Sequence, residues 1–167
     1  TSLTTFSSDL SSLTDGNNMF RGCSALTTFT SDLSSLTYGK NMFHQCWNLK
    51  SFSSNLSSLT NGNEMFYQGG LKTFNSDLSS LTNGKNMFHK CSALTTFTSD
   101  LSSLVFGYQM FYDTSLTSFS SDLSSLDNGK DMFLSCDNLT SFTSDLSSLT
   151  YGYTMFRLCT NLTTFTS

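Results

Sequence analysis

The apolar positions of this chain fall into columns. Leu3, Leu26, Leu49, Leu71, Leu94, Leu116, Leu139 and Leu162 are spaced 23, 23, 22, 23, 22, 23 and 23 residues apart. Three residues after each Leu stands a Phe, from Phe6 and Phe29 to Phe142 and Phe165. Two further Leu, a Gly, a Met-Phe pair and usually a Cys complete each unit, and most of the residues between them are Ser, Thr or Asn. A fixed period in the twenties predicts a solenoid, because a unit this short cannot bury its apolar face alone and must stack on its neighbours. Leu-Thr-Thr-Phe-Thr, rich in Thr and Phe, reads as the strand of each unit. The expected fold is a β-rich, right-handed solenoid of about seven coils of 22–23 residues with one parallel sheet, a single unit over residues 1–167. Since the chain opens and closes inside a repeat, it reads as a piece of a longer array.

The polar columns carry their own expectations. Asp9, Asp32, Asp77, Asp100, Asp122 and Asp145 open a short turn, where a carboxylate accepts from backbone N–H groups two or three residues on. A calcium ladder is the competing reading of this column. Asn55 at the same place keeps the accepting oxygen and drops the charge, which favours capping. The Gly column, Gly16 to Gly152, is expected to supply a positive φ at a tight corner. Cys23, Cys46, Cys91, Cys136 and Cys159 lie a repeat or two apart with no close Cys-x-x-Cys pair. That spacing suits neither zinc nor a disulfide framework and favours buried thiols acting as small apolar fillers. The two units without Cys, after Phe66 and Phe111, are each one residue shorter and each brings in a Tyr.

The recurring Gly-x-x-Met-Phe-x-x-Cys-x-x-Leu-x-x-Phe resembles the BspA-like, Treponema-type bacterial surface leucine-rich repeats of about 23 residues, and the resemblance covers the whole chain. Three departures stand out: Met replaces the small residue before Phe, Asp or Asn stands where Pro is usual, and Ser8 to Ser144 hold the position of the strand's second inward Leu. The resemblance implies a leucine-rich-repeat-like array in a secreted or cell-surface protein, bacterial or on a phage virion, that adheres and recognises without catalysing.

Composition narrows the function further. Net charge is −4 and 12% of residues are charged, which excludes a basic nucleic-acid groove, and no apolar run is long enough to insert in a bilayer. No phosphate loop, metal spacing or nucleotide fingerprint occurs, so no catalytic residue, metal or cofactor is expected. His44 and His89 are expected on one surface column roughly 10 Å apart. A Ser–His–Asp set drawn from so many Ser residues carries little weight.

The informative positions are the variable ones flanking Gly and following Met-Phe. There the chain places Tyr38, Trp47, Tyr67, Phe106, Tyr108, Tyr112, Tyr151 and Tyr153, with Lys among them. Exposed Tyr and Trp amid Asn and Ser have the composition of recognition surfaces. These eight residues are the candidate binding site for a protein or glycan on a host or neighbouring cell. Phe106, Tyr108 and Tyr112 are expected to cluster. A passive spacer or fibre segment is the alternative, ice binding through Thr-x-Thr rows is a remote third, and uncapped coils invite end-to-end or lateral self-association.

Overall fold

A computed structural model describes residues 2–167. The repeats stack in sequence order, each bonded to the next through residues 21 to 24 apart. The regular elements are short parallel strands: β1 (Thr5–Phe6), β2 (Thr28–Phe29), β3 (Thr73–Phe74), β4 (Thr96–Phe97), β5 (Ser118–Phe119), β6 (Ser141–Thr143) and β7 (Thr164–Thr166). No helix occurs among the described residues. Two Phe files fill the interior. The strand-side file runs from Phe6 to Phe165, the turn-side file from Phe20 to Phe156, and they interlock edge to face.

The expected single sheet is broken into three: β1–β2, β3–β4 and β5–β6–β7. Ring spacing in the strand-side file shows why. Where strands pair, successive Phe centroids lie 5.3–5.8 Å apart. At the three unpaired steps, Phe29–Phe52, Phe52–Phe74 and Phe97–Phe119, they lie 5.9, 6.1 and 5.9 Å apart. A hydrogen-bonded ladder holds strands at about 4.8 Å, so the bulky file spreads this side, and at the widest steps the strand bonding thins to contacts such as Lys72 N–H to Lys50 O at 3.1 Å and Thr117 N–H to Thr95 O at 3.4 Å. Side-chain support fails at the same places. Thr27, Thr95, Thr140 and Thr163 each donate Oγ1 to the preceding repeat's carbonyl, whereas Lys50 and Lys72 occupy that column around the first gap.

The turn side holds the repeats together instead. Gly16, Asn18, Phe20 and Gly22 donate their N–H groups to the carbonyls of Tyr38, Lys40, Met42 and His44 at 2.8–2.9 Å. The same set recurs at every junction as far as Gly129, Asp131, Phe133 and Ser135, which donate to Tyr151, Tyr153, Met155 and Arg157. The intervening N–H groups close local turns, as in Met19 to Gly16 and Arg21 to Asn18. Two residues per corner take the left-handed conformation, for instance Asn41 (φ 56°) and Gln45 (φ 60°). An unbroken right-handed run would spend its N–H groups within a helix. A left-handed residue every fourth position interrupts it and frees alternate N–H groups for the next repeat.

The glycine column therefore serves another purpose than the expected positive φ. Among glycines only Gly22 has a positive φ, at 70°. At Gly16, Gly62 and Gly84 a Cβ would sit 2.7–2.8 Å from the sulfur of Met42, Met87 and Met110 in the following repeat. Glycine makes room for that thioether, which accounts for a Met in every repeat. The Asp column caps as expected: the N–H groups of Ser11, Ser34, Ser79, Ser102, Ser124 and Ser147 donate to Asp Oδ1 two residues back, and Ser57 N–H to Asn55. These bonds hold the Asp9 and Asp77 carboxyls below their usual range.

Candidate functional site

The turn side carries the variable residues in adjacent files. The first is the line Asp15, Tyr38, Asn61, Asn83, Phe106, Asn128 and Tyr151, whose members join by parallel bridges through the whole array. Its ladder is continuous where the Leu-x-x-Phe sheet is not. Tyr38, Phe106 and Tyr151 project from it with 52%, 48% and 64% exposure. Their backbone is fixed by the junction bonds, so the aromatic groups stand on a rigid edge.

Two residues on, across the Gly, runs the file Asn17, Lys40, Asn63, Lys85, Tyr108, Lys130 and Tyr153. Lys85 Nζ lies 5.5 Å from the Tyr108 ring centre, and Lys130 Nζ lies 5.8 Å from both Tyr108 and Tyr153. Each cation is attracted to the negative face of a ring, which orders an otherwise mobile Lys stem. Phe106 and Tyr108 line a shallow cleft of about 400 Å³ with Asn83, Lys85 and Asn128. Tyr151 and Tyr153 continue the same two files towards the C-terminus.

Tyr67 and Tyr112 stand elsewhere. They belong to a third file in which His44, Tyr67, His89 and Tyr112 stack face to face at 4.8, 4.7 and 4.5 Å, with planes within 6°. The expected cluster of Phe106, Tyr108 and Tyr112 therefore resolves into one cleft, lined by Phe106 and Tyr108, and a stack that holds Tyr112. Tyr112 gives one face to His89, and Tyr67 has both faces covered by imidazoles. The histidines also depart from expectation. They are buried, with Tyr67 between them, rather than on an open surface column. Burial depresses His44, with Arg21 adding to the effect and Glu64 (Nε2–Oε2 3.9 Å) opposing it. Burial and then Lys90 push His89 down to about 4. Nδ1 of each has no hydrogen-bond partner among the described residues. His89 is packed between two phenol rings and His44 against one.

The thiols are equally inert. Cys46, Cys91, Cys136 and Cys159 each donate Sγ–H to a Phe carbonyl one repeat back, at 3.0–3.3 Å. Burial pushes the first three up to about 12 and Cys159 to about 11. All five are free. Thr114, buried at the Cys position of a short repeat, replaces the thiol with a hydroxyl that reaches Phe111 O at 3.0 Å. No set of three or more His, Cys, Asp or Glu side chains placed to hold a metal occurs among the described residues.

Trp47 is 53% exposed and lies apart from the other aromatic candidates. It borders a cleft of about 500 Å³ with Lys50, Gln68, Gly69, Gly70, Lys90 and Asp113 among its walls. Apart from Trp47 and Lys90, sequence reasoning did not single these residues out. The signal available was the missing residue together with the Gly-Gly pair at 69–70.

Compared with known families, the chain matches the BspA type leucine-rich repeat region, in six copies, over residues 1–95 and 60–167. No curated protein and no solved structure shows significant similarity to it.

Proposed function

The chain belongs to the BspA-type leucine-rich-repeat family, commonly surface repeat proteins and typically non-enzymatic, and from that premise we propose that it is a recognition module of a bacterial or phage surface. In this reading the repeats wind as a right-handed solenoid and the turn-side edge meets the ligand, a protein or glycan on a host or neighbouring cell. The observation that carries it is the exposure of Tyr38, Phe106, Tyr151 and Tyr153 along two neighbouring files whose backbone is bonded at every junction. Large aromatic side chains left in water on a rigid frame lose little entropy on binding, and a few of them supply most of an interface's energy. The cation between Tyr108 and Tyr153, Lys130, adds specificity for a partner with matching acidic or hydroxyl groups.

The test compares wild type with a Phe106→Ala/Tyr108→Ala/Tyr153→Ala variant in cell adhesion and on a glycan array. None of the three side chains is in the buried core, so the variant should keep its thermal midpoint. Loss of binding by the variant supports the edge as the site. Unchanged binding moves the site elsewhere, and a wild type that binds nothing favours a passive spacer.

A further inference from the structure

The cleft beside Trp47 arises from a change in repeat length. Between the Cys column and the next Leu, one neighbouring repeat reads Cys46-Trp47-Asn48-Leu49 and the other Cys91-Ser92-Ala93-Leu94. The repeat between them reads Gly69-Gly70-Leu71, one residue shorter and without side chains. A notch one repeat wide is left between two full-length corners. Gly70 is required there: a Cβ would lie 1.9 Å from the Trp47 carbonyl oxygen and 2.8 Å from Lys50 Nζ. The other short corner, Thr114-Ser115-Leu116, is closed by Ser115 Oγ donating to Ser92 O at 2.8 Å and has no aromatic on either flank.

The notch has a distinct chemistry. One wall is the open indole of Trp47, the floor is glycine backbone, and Lys50, Lys90, Gln68 and Asp113 stand around it. Lys50 donates to the Trp47 carbonyl at 2.6 Å, which holds its ammonium at the rim with two donors to spare. Gln68 accepts from Gln45 Nε2 at 3.0 Å through Oε1, leaving its own amide N–H groups to donate. Among the described residues neither Lys50, Lys90 nor Asp113 has an ion-pair partner. A volume of about 500 Å³ falls within the roughly 300–1,000 Å³ of small-ligand sites.

We infer that this notch binds an acidic sugar, a pyranose bearing a carboxylate. The C–H face of the ring would lie on Trp47, the carboxylate between Lys50 and Lys90, and ring hydroxyls against Gln68 and Asp113. A peptide fits less well, because the walls offer one flat aromatic face and no second apolar recess. The inference rests on the recognition reading but uses residues separate from the Phe106–Tyr153 edge, so the two can fail independently.

Trp47 is the only tryptophan in the chain, so its emission reports on this site alone. Sialyllactose and a glucuronate-containing disaccharide, titrated separately, distinguish the two sources of the carboxylate, with lactose and a Glu-rich peptide as controls. The expected result is a saturable shift with at least one acidic saccharide, weakened by salt and by at least about tenfold in Lys50→Gln/Lys90→Gln. Gln is a safe replacement at 90, since Gln45 and Gln68 take the same left-handed conformation in that column. No shift with either acidic saccharide, an equal shift with lactose, or a shift with the peptide alone would overturn the assignment. If cell adhesion survives Trp47→Ala while the saccharides leave the emission unmoved, the notch assignment fails and the edge stands. If wild type shifts with saccharide yet adheres to no cell, the notch stands and the cell-recognition reading fails.

Discussion

Substituting Gly84→Ala tests why glycine recurs in every repeat. The added methyl would lie 2.7 Å from the Met110 sulfur, 3.1 Å from its Cε and 3.2 Å from Leu104 Cδ1. Relaxed non-bonded contacts need about 3.5–4.0 Å, so the thioether must retreat by about 1 Å. Met110 and Leu104 are both fully buried, which leaves no solvent side to retreat into. Overpacking of this kind costs about 1–3 kcal/mol, while a less flexible unfolded chain returns up to about 1 kcal/mol. The expected net loss is about 1–2 kcal/mol, read from urea midpoints by circular dichroism and Trp47 emission together. Met110→Ala alone should cost about 2–5 kcal/mol, but with Gly84→Ala the sum should fall short by about 1 kcal/mol, since the new methyl enters the vacated space. Gly22→Ala provides the contrast. Nothing lies within 4 Å of its Cβ but its φ is 70°, so it should lose about 1 kcal/mol to backbone strain alone, uncoupled to any Met. A neutral Gly84→Ala, or strict additivity with Met110→Ala, would refute the close-approach argument.

Three further outcomes follow from the buried files. Native protein at pH 8 should resist thiol labelling, with half-buried Cys159 reacting first and Cys46, Cys91 and Cys136 only on unfolding; rapid modification of Cys91 would contradict its burial. His89 titrates near 6.5 when unfolded and about 4 when folded, so the unfolded chain binds more protons between these values. Stability should therefore fall as pH drops from about 6.5 to 4, and His89→Tyr, matching Tyr67 and Tyr112 in its file, should make that fall shallower, with the depressed His44 supplying the remainder. Phe97→Ala, interior to the strand-side file, should cost about 3–5 kcal/mol, against less than about 0.5 kcal/mol for Ser124→Ala on the surface turn.

The repeat and its core were legible because a Leu or Phe that must be buried in every unit leaves a periodic mark. The Asp caps were legible for a similar reason, since Asn55 preserves the acceptor and reveals which property is used. The left-handed corner positions left no such mark. Glu64 and Lys90 take φ of 55° and 57°, although neither residue type favours that region, and each donates its N–H to the next repeat. Gly therefore attracted the turn assignment, although its role depends on a Met one repeat away in space. The interrupted sheet was hidden because Thr-Phe favours a strand locally, while the width of a stacked Phe file is a property of the assembled array. Exposure of Tyr38, Trp47, Phe106, Tyr151 and Tyr153 matched the composition argument. Stacking of Tyr67 and Tyr112 on imidazoles did not, since it depends on which residues meet across repeats.

If the turn-side ladder that displays the aromatic edge is the rigid spine of the array, amide hydrogen exchange measured residue by residue will show it. The N–H groups of Asn41, Phe43, Gln45, Asn86, Phe88 and Lys90 should exchange only at the rate of global unfolding, and those of Thr28, Lys72 and Thr117 on the strand side well before it. Protection of the strand-side amides with fast exchange along the turn side would contradict it.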